Sequence, residues 1–322
     1  MESFFIVGGA GFIGSHFVAR LLSEPATSKI TIYDNMSSGR RWHFESYLQD
    51  HRLHFETGDA KDLDHLSSAM AGHDTVIHLA SNPDIAKAQT TPNVDFYEGT
   101  LLTHQVVEAM RLSGAKNILY ASGSGVYGDI GSVDAAEETP VGRPISTYGA
   151  SKLAGEALIS AYCYMFDRRG CTFRFGNVVG PHQTHGVGFD FVKRLLADPT
   201  HLDILGDGRQ SKSYIHVEDV IDAVLTAHRA PGPAFQVFNV ATGDYITVTE
   251  IAELAIECLD LPKESVHLSY RGGDRGWKGD VPIVRLATDL IQSKGWRCRR
   301  TSREALAHAM RSMIEDFRTG RM

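Results

Sequence analysis

Tyr148 and Lys152 are the residues whose types and spacing most directly suggest chemistry. They lie four positions apart in a segment with helical periodicity, so both side chains fall on one face of the predicted helix. An ammonium group beside a phenol stabilises the phenolate and lowers the pKa of the tyrosine. Such a tyrosine can exchange a proton with a substrate hydroxyl while a hydride is transferred. A merely structural pair on a helix is the alternative.

A glycine-rich turn near the N-terminus predicts a dinucleotide site. Gly8, Gly11 and Gly14 match the spacing G-x-x-G-x-x-G between an apolar strand-like run and a helical segment. The turn has to be tight, the backbone has to approach a pyrophosphate, and the helix has to present free N–H groups to it. We therefore assign Phe12 and Ile13 to the cofactor site as well. A glycine-rich loop without a ligand is the alternative.

An acidic residue follows at the distance expected for a ribose contact. Asp34 lies 20 residues after Gly14, at the end of the second predicted strand. A carboxylate there accepts hydrogen bonds from the adenosine ribose and repels a 2′-phosphate, which favours NAD over NADP. We assign Asn35 to the same site. A solvated turn is the alternative, and the nearby Arg40 and Arg41 weaken the preference for NAD.

The ends of the third and fourth strands are predicted to line the same cofactor. Asp59 and Ala60 follow the third strand, where a carboxylate could meet the adenine amino group. A plain helix N-cap is the alternative for Asp59. The backbone of Leu79, Ala80 and Ser81 follows the fourth strand at the carboxyl edge of the sheet, where ligands of open α/β folds bind.

The elements that must position these residues alternate through the first half of the chain. Strand-like runs and helical segments in alternation predict βαβ units. The fold class is therefore α/β, with a doubly wound parallel sheet of the Rossmann type and a smaller C-terminal substrate lobe. The predicted strands are residues 4–7, 30–33, 54–56, 75–78, 118–121 and 172–175, and the predicted helices are residues 14–22, 63–70, 99–111 and 148–166.

The pattern loosens after about residue 177 into segments punctuated by Gly and Pro. We assign residues 1–176 to an NAD-binding domain and residues 177–322 to a substrate lobe with long functional loops. Irregular surface connections are the alternative. The strand-like run 236–240 could return the chain to the large sheet, so that the first domain also receives about residues 214–245 and the lobe is discontinuous.

Composition excludes several kinds of partner. The chain has 39 Asp and Glu against 32 Lys and Arg, a formal net charge of -7, so it lacks a basic field for nucleic acid. No apolar run approaches the roughly 20 residues that span a bilayer. The four cysteines are scattered without the close pairs of a zinc or redox motif. We expect a cytoplasmic protein with reduced thiols, no metal site, and no nucleic-acid or membrane partner.

Several segments together resemble the extended short-chain dehydrogenase/reductases: GGAGFIGSH, HLAS, VYGD, YGASK and FRFGNVVGP, along with Asp34 and Asp59. More narrowly, two segments are similar to the nucleotide-sugar 4-epimerases of the UDP-glucose or UDP-glucuronate type, namely GDGRQSKSYIHVEDV and GDRGWKGDVP. The resemblance covers nearly the whole chain. It implies a Rossmann-type fold, an NAD cofactor and a UDP-hexose or UDP-hexuronate substrate.

The resemblance also implies a reaction. Tyr148 would remove the proton of a sugar 4-hydroxyl as the C4 hydride passes to tightly held NAD. The 4-keto sugar would turn over, and return of the hydride to its opposite face would invert C4 without net redox change. Lys152 would also hold the nicotinamide ribose. Lys87 would either reach the cofactor or be an exposed helix lysine.

The chain departs from the family pattern at Gly123. The family normally has Ser or Thr there, four residues before the tyrosine of VYG, and its hydroxyl shares the proton network of the catalytic tyrosine. Ser122 or Ser124 could supply a hydroxyl instead, substrate and water could replace it, or the substitution could be silent. Related 4,6-dehydratases and UDP-glucuronate decarboxylases carry an acidic residue where this chain has Gly125. Epimerisation therefore fits better than elimination.

Residues around a nucleotide sugar are implied by the same resemblance. Asn177 would contact the diphosphate or the sugar, and the backbone around Val187 and Phe189 would lie near it. Leu205 and Gly206 would border the base.

Charged residues of the same lobe would hold the diphosphate. Lys212 stands where the family usually has an arginine, so it keeps the charge but loses the bidentate fork. Arg275 could supply a second cation and Asp280 a ribose or base contact; ordinary loop charges are the alternative for each. We expect the loop HQTH at residues 182–185 to lie over the sugar and to distinguish a hexose from a hexuronate.

Two other functions remain open from the sequence, and the resemblance also implies an oligomeric state. A nucleotide-sugar or carbonyl oxidoreductase would transfer hydride with net redox change and consume reduced cofactor. A non-catalytic NAD-binding protein is suggested by Gly123, and the intact Tyr148 and Lys152 argue against it. The resemblance implies a homodimer, because residues 101–110 and 149–166 carry exposed-looking apolar positions that pack across a two-fold axis in this family.

Overall fold

The computed structural model describes residues 1–141 and 143–321. In this part of the chain, 15 strands and nine α-helices follow one another. The strands are β1 (Glu2–Val7), β2 (Thr27–Asp34), β3 (Leu53–Thr57), β4 (Thr75–His78), β5 (Asn117–Gly123), β6 (Asp134–Ala135), β7 (Arg169–Phe175), β8 (Asn177–Val179), β9 (His201–Ile204), β10 (Ser211–Lys212), β11 (Tyr214–His216), β12 (Phe235–Val240), β13 (Ile246–Thr247), β14 (His267–Tyr270) and β15 (Arg285–Leu286). The helices are α1 (Phe12–Leu22), α2 (Leu63–Met70), α3 (Leu102–Ser113), α4 (Thr147–Met165), α5 (Val187–Ala197), α6 (Val217–Arg229), α7 (Val248–Cys258), α8 (Asp289–Ser293) and α9 (Ser302–Arg318).

Seven strands form the central sheet in the order β12, β7, β5, β4, β1, β2, β3. The pairs from β3 through β5 are parallel. Winding reverses at β1, since β2 and β3 lie on one side of it and β4, β5 and β7 on the other. Open α/β sheets bind ligands beyond the carboxyl ends of strands at such a switch point. The predicted Rossmann-type α/β fold is confirmed.

Strand β1 of the central sheet does not alternate between apolar and polar residues, as the strands of a half-exposed sheet do, because it is buried on both faces. Phe4, Phe5, Ile6 and Val7 of β1 are all buried, as expected where helices cover both faces of a parallel sheet. The six predicted strands are present and extend by at most a few residues beyond their predicted bounds. The run 236–240 is β12 and joins the large sheet beside β7, as the sequence suggested.

The first compact unit contains the segments Met1–Val126, Thr147–Arg174 and Val224–Phe238. Its apolar core joins residues from the sheet to residues from the covering helices, among them Phe5, Val76, Ile118, Leu66, Val106, Met110 and Ile159. Since helices and strands share this core, the carboxyl ends of the strands are held rigidly enough to carry a site.

The second compact unit contains Tyr127–Ser146, Phe175–Ala223 and Asn239–Met322. Its core gathers apolar side chains from three helices, α5, α7 and α9, including Phe191, Leu195, Ile251, Leu254, Leu306 and Met310. Short strand pairs surround this core, among them β8 with β11 and β9 with β14, both parallel. The unit also includes residues 127–146, which the sequence boundary at residue 176 assigned to the first domain.

One predicted helix begins later than expected. The segment Phe96–Leu101 is a π-helix, and the regular helix α3 starts only at Leu102. Within the π-helix, a Cβ on Gly99 would overlap the hydroxyl of Ser151 on α4. Single π-helical turns are frequent at functional sites, and here the missing side chain lets this segment pack closely against the helix that carries Tyr148 and Lys152.

Candidate active site

The glycine turn between β1 and α1 has the geometry that a dinucleotide requires. Gly8 has φ +82, and a Cβ on it would lie 2.8 Å from the backbone nitrogen of Ala80. A Cβ on Gly14 would lie 2.6 Å from the carbonyl oxygen of Gly8. Both positions therefore need glycine for packing within the protein.

The N-terminus of α1 is left open for an anion. Gly11 is its N-cap, and neither a side-chain cap nor an acidic residue of the first turn covers the N–H groups there. A Cβ on Gly11 would meet only the carbonyl oxygen of Gly8, at 3.3 Å. Glycine at 11 thus keeps the approach to the helix clear, where Phe12 and Ile13 begin the first turn. These residues fit the pyrophosphate of NAD.

Asp34 is held in place at the end of β2. Its carboxylate accepts hydrogen bonds from the backbone N–H groups of Ala10, at 3.0 Å, and Met36, at 2.8 Å. Burial raises the pKa of Asp34, and these two hydrogen bonds oppose the rise. Each carboxylate oxygen has a further lone pair, so Asp34 can still accept from a ribose hydroxyl. Arg40 donates instead to carbonyl groups of its own loop, at Ser38 and Gly39.

Asp59 and Ala60, which follow β3 and were predicted to line the cofactor, lie in different surroundings. Ala60 is buried. Asp59 is not the N-cap of α2, because Asp62 accepts the capping hydrogen bond from the N–H of His65. That alternative for Asp59 is therefore wrong, and its half-exposed carboxylate accepts instead from the N–H of Lys61.

Two further residues that were predicted to contact the cofactor are exposed. Asn35 accepts from the N–H of Ser37 within its own turn. Lys87 is exposed in the short helix Ile85–Gln89. From the sequence, an exposed helix lysine is the alternative to a cofactor contact.

The end of β4 meets the glycine turn directly. The N–H groups of Leu79 and Ala80 both donate to the carbonyl oxygen of Val7, at 2.9 and 3.1 Å. The residues after β1 and after β4 therefore lie together at the switch point of the sheet. This is where the sequence placed both segments of the cofactor site.

Tyr148 and Lys152 are brought together on α4. The ammonium of Lys152 lies 5.4 Å from the ring centroid of Tyr148 and 5.1 Å from that of Tyr120. It also donates a hydrogen bond to the carbonyl oxygen of Ala121, at 2.8 Å. Lys152 is buried, so two aromatic rings and a carbonyl group fix its position.

The expected lowering of the tyrosine pKa is not found in the structure. Burial raises the pKa of Tyr148 to about 12, while the side chain of Ser81 lowers it and the charge of Asp95 raises it. Burial lowers the pKa of Lys152 to about 8, and Asp95 raises it. The structure differs from the expectation because burial of the phenol, which disfavours its charged form, is the largest cause of the shift.

A buried network surrounds the start of α4. Asp95 accepts a hydrogen bond from the Asn82 side chain at 2.9 Å and from the Thr147 hydroxyl at 2.7 Å. Ser81 and Asn82 are consecutive after β4, and Thr147 and Tyr148 are consecutive at the start of α4. The segment after β4 is therefore tied to the first turn of α4 through Asp95.

The two serines proposed to replace the missing hydroxyl differ in their partners. The Ser122 hydroxyl donates to the Glu156 carboxylate at 2.6 Å, and Glu156 in turn accepts two hydrogen bonds from Arg174. Ser124 has no hydrogen-bond partner within residues 1–141 and 143–321. A Cβ built on Gly123 has no heavy atom within 4 Å. The structure therefore commits Ser122 to a buried ion pair and leaves open space at Gly123.

In the second unit, the predicted cations are already paired with carboxylates. The Lys212 ammonium contacts the Asp280 carboxylate. Arg275 pairs with Asp129 at 2.9 Å and donates to the carbonyl oxygen of Asp280 at 3.3 Å. Asp280 also accepts from the N–H of Gly276. Three predicted substrate residues thus lie together, and Asp129 is a fourth member that the sequence did not single out.

Other predicted residues of this unit lie at turns and element ends. Asn177 opens β8 and donates to the carbonyl oxygen of Ser213 at 3.3 Å. Val187 is the first residue of α5, whose N-cap is Gly186, and no side chain caps this helix. Leu205 is exposed. An exposed apolar residue and an open helix N-terminus are the surroundings expected for a base and an anion.

Comparison of this chain with known proteins shows its family. The family described as NAD dependent epimerase/dehydratase matches residues 4–241. The chain belongs to this family. The UDP-glucose 4-epimerase of Mycolicibacterium smegmatis is 31% identical over 325 residues, 97% of each chain. A crystal structure of a UDP-galactose 4-epimerase has 34% identity and a TM-score of 0.85, covering 98% of this chain and 99% of that one.

A related dehydratase has the same fold. The dTDP-glucose 4,6-dehydratase DesIV from Streptomyces venezuelae, solved with NAD and TYD bound, is 26% identical with a TM-score of 0.89 and covers 98% of each chain. These comparisons confirm the predicted family and the NAD cofactor of this epimerase/dehydratase. They also confirm the predicted class of enzyme, an NAD-dependent nucleotide-sugar epimerase.

Two other kinds of site are absent from the described part of the chain. No group of three or more His, Cys, Asp or Glu side chains that could hold a metal is present in residues 1–141 and 143–321 of this epimerase/dehydratase. Over the same residues, no helix is both long enough and apolar enough to cross a bilayer.

Sequence reasoning missed two residues near Tyr148 and Lys152, namely Asp95 and Asn82. Asp95 and Asn82 follow no recognisable spacing, since they meet Thr147 only after the sheet has formed. The side chain of Ser81 was also missed, because only its backbone was predicted to line the cofactor. The signal that could have found Asn82 is the polar stretch that begins at Ser81, shortly after the apolar strand β4.

Proposed function

We propose that this protein is a nucleotide-sugar 4-epimerase that inverts C4 of a UDP-hexose or UDP-hexuronate through a transient 4-keto sugar. The observation that carries the proposal is the Tyr148 and Lys152 pair on one face of α4, in the same compact unit as a dinucleotide turn that only glycine fits. The UDP moiety is proposed because the two epimerases named above are a UDP-glucose and a UDP-galactose 4-epimerase, whereas DesIV is a dTDP-glucose dehydratase.

The residues of the first unit are proposed to divide the work. Tyr148 takes the proton of the sugar 4-hydroxyl onto its phenolic oxygen and returns a proton when the keto group is reduced. Lys152 holds the nicotinamide ribose and supplies a positive charge beside the phenol. NAD, when bound, accepts and returns the C4 hydride and brings the positive charge of its oxidised ring.

Residues of the dinucleotide site are proposed to hold the cofactor without taking part in proton transfer. Gly8, Gly11 and Gly14 permit the close approach of the pyrophosphate to the backbone of Phe12 and Ile13. The Asp34 carboxylate binds the adenosine ribose. Further contacts are proposed for Asn35, Asp59, Ala60, Leu79, Ala80, Ser81 and Lys87.

Residues of the second unit are proposed to bind the nucleotide diphosphate. Lys212 and Arg275 supply the two cations, and their pairing with Asp280 and Asp129 keeps both side chains ordered before an anion arrives. Asp280 is then available to a ribose or base. Further contacts are proposed for Asn177, Val187 and Leu205.

Epimerisation is favoured over dehydration by the residue at 125. Elimination across C5 and C6 needs an acid and base there, and Gly125 has no side chain. A Cβ at this position would make ordinary contact with the Cα of Gly149, at 3.5 Å. The lack of an acidic group is therefore a choice of residue rather than a demand of packing.

The first experiment is an incubation of the purified protein with UDP-glucose, UDP-galactose, UDP-glucuronate and their N-acetyl counterparts, with and without added NAD. Proton NMR follows the stereochemistry at C4. We expect one C4 epimer to appear without stoichiometric consumption of cofactor, and Tyr148→Phe to lose this activity while retaining NAD. If every sugar is returned unchanged while the protein holds NAD, the proposal fails for these substrates.

The oxidoreductase alternative predicts a different result in the same incubation. A reductase would consume added NADH in proportion to product, which absorbance of the reduced cofactor measures directly. An epimerase regenerates its cofactor in each cycle, so it needs none beyond what it holds. A non-catalytic protein would bind NAD and change neither signal.

We also propose that the protein is a cytoplasmic homodimer. Several large apolar side chains are exposed on the π-helix and on α3 and α4, namely Phe96, Tyr97, Leu112, Tyr164 and Met165. These three helices pack against one another, and exposed apolar side chains on neighbouring elements are typical of a protein interface. Light scattering on the purified protein measures its mass directly, and Tyr164→Glu is expected to shift it from dimer to monomer.

A further inference from the structure

The ammonium of Lys152 is buried without a carboxylate partner. Lys152 is 3% exposed, and its ammonium donates a hydrogen bond to the carbonyl oxygen of Ala121, at 2.8 Å. Within residues 1–141 and 143–321 it forms no ion pair. One carbonyl group satisfies only part of an ammonium, so other groups have to stabilise the buried charge.

The ring of Tyr120 lies where it can stabilise this charge. The Lys152 ammonium lies over the ring, 5.1 Å from its centroid, and 5.4 Å from the centroid of Tyr148. The electrons of an aromatic face attract a cation within about 6 Å of the centroid, more strongly when the site excludes water. Tyr148 is the group proposed to exchange the substrate proton. Tyr120 is therefore the ring that can act on the ammonium throughout the reaction.

We propose that Tyr120 is a positioning residue of this enzyme, whose aromatic face holds the Lys152 ammonium in its charged form beside Tyr148. The proposal rests on the proposed function only in giving Lys152 and Tyr148 their roles. Tyr120 is 1% exposed, so it acts through Lys152 and not on the sugar.

Helix α4 leaves a slot for the Tyr120 ring at Gly155. A Cβ on Gly155 would lie 2.5 Å from the hydroxyl oxygen of Tyr120 and 2.8 Å from its Cζ. A larger residue at 155 would therefore displace the ring. Lys152 and Gly155 are neighbours on one face of the helix, so the face that carries the ammonium also admits the ring beneath it.

The ring is supported from the neighbouring strand. Tyr120 on β5 lies directly opposite His78 on β4, and the two ring centroids are 5.2 Å apart. The Nε2 atom of His78 lies 3.0 Å from the hydroxyl oxygen of Thr103 on α3, which fixes the imidazole. Burial lowers the pKa of His78 to about 3. The imidazole is therefore neutral and does not compete with Lys152 as a second cation.

The charged groups on the surrounding elements have partners of their own. Glu98 pairs with Lys61, and Glu108 pairs with Arg111. Asp95 remains as the carboxylate whose charge raises the pKa of Lys152. The titratable groups on the elements that pack against α4 are Tyr97 and Glu98 on the π-helix, His104, Glu108 and Arg111 on α3, Tyr120 on β5, and Lys87.

The role of the ring gives a pH dependence of definite sign. Burial lowers the pKa of Lys152 to about 8, so the ammonium charge is lost as the pH rises through that value. Attraction to the Tyr120 face favours the charged form and opposes this fall. Removal of the ring therefore lowers the pKa of Lys152 further, and the alkaline limb of the kcat profile moves to lower pH.

The test is Tyr120→Leu in the NAD-bound enzyme, with Phe238→Leu as the matched control. Phe238 is a fully buried aromatic residue of the same sheet, and its ring stacks on Phe173 rather than on a cation. We expect Tyr120→Leu to move the alkaline limb of kcat about one unit lower in pH. Phe238→Leu removes a ring of similar size and is expected to leave that limb in place.

Ring-fluorinated residues separate the charge effect from packing. Tyr120→Phe keeps the aromatic face and is expected to keep the alkaline limb of the wild type. Fluorine atoms on that phenylalanine withdraw electrons from the face while nearly keeping its shape, and a fluorine at Cζ takes the space of the lost hydroxyl beside Gly155. We expect the alkaline limb to move stepwise to lower pH as fluorine atoms are added.

A second readout does not depend on turnover. In protein labelled at its lysine side chains, NMR follows each Cε resonance with pH, and the resonance that is absent from Lys152→Met belongs to Lys152. Its titration midpoint is expected to fall in Tyr120→Leu and with each added fluorine. The measurement needs no nucleotide sugar, so failure of the proposed function and failure of this inference are distinguishable.

Three results would overturn the inference. The first is a Tyr120→Leu enzyme whose alkaline limb and Lys152 midpoint equal those of Phe238→Leu. The second is a fluorinated series in which both values stay at those of Tyr120→Phe, which would show that the ring acts through its shape alone. The third is a Tyr120→Phe enzyme shifted as far as Tyr120→Leu, which would assign the effect to the hydroxyl.

Discussion

The carboxylate of Asp95 accepts a hydrogen bond from the hydroxyl of Thr147 at 2.7 Å, directly before the catalytic candidate Tyr148. Asp95 is 1% exposed, and its other oxygen accepts from Asn82. A buried charge with two hydrogen bonds fixes the geometry of the groups that it joins. The same charge raises the pKa of both Tyr148 and Lys152, so it affects proton transfer as well as position.

Replacing Asp95 by Asn tests this charge. Removal of a negative charge destabilises the Lys152 ammonium and stabilises the Tyr148 phenolate, so both pKa values fall. The acid limb of kcat is therefore expected to move to lower pH, by about half a unit or more. Asp64→Asn on α2 is the control, and an acid limb that stays in place or rises would contradict the prediction.

Replacement of Gly11 or Gly14 by Ala is expected to change the free energy of unfolding by different amounts. A Cβ on Gly14 would lie 2.6 Å from the backbone of Gly8 and Gly9, so Gly14→Ala should cost about 1–3 kcal/mol of unfolding free energy. Gly11→Ala meets only the Gly8 oxygen at 3.3 Å, so its stability should stay near that of the wild type. Both variants should lose NAD. In Gly11→Ala the methyl group covers the helix N-terminus, and in Gly14→Ala the clash displaces the glycine turn. Urea unfolding and the cofactor content of the purified proteins measure the two effects, and a Gly11→Ala enzyme with full NAD would refute this role.

Lys212→Met tests anion binding in the second unit. The variant loses a cation proposed for the diphosphate and leaves Asp280 without that partner. We expect KM for the nucleotide sugar to rise about tenfold or more with a smaller change in kcat, the pattern of lost uniform binding. Lys263→Met, an exposed lysine paired with Glu253, is the control. Equal KM values for the two variants would exclude Lys212 from the substrate site.

The buried pair of Glu156 and Arg174 is expected to serve stability rather than catalysis. Its side chains are 6% and 5% exposed, and Arg174 contacts the carboxylate at 2.7 Å. Arg174→Met leaves a buried carboxylate unpaired, which should cost about 3–5 kcal/mol of unfolding free energy. Arg303→Met breaks an exposed pair with Glu257 and should cost at most about 1 kcal/mol. Comparable urea midpoints for these two variants would show the burial argument to be wrong.

Much of the first unit was predictable because its signals are local in sequence. The glycine turn needs three fixed spacings, Asp34 follows at the end of the next strand, and Tyr148 and Lys152 lie one helical turn apart. Each of these patterns is completed within one or two consecutive elements. The alternation of strands and helices then limits how they can be arranged, so the fold class and the edge of the sheet that carries the site also follow.

The sequence by itself determined the Rossmann-type fold, the dinucleotide turn and the identity of the Tyr and Lys pair. Only the tertiary structure decided which side chains affect the pKa of Tyr148, namely Ser81 and Asp95. Ser81 is 67 positions before Tyr148, and Asp95 is 52 positions before Thr147, separations at which the chain carries no periodic signal. Desolvation likewise depends on the packed interior, which is why the pKa of Tyr148 rises where the spacing alone predicted a fall.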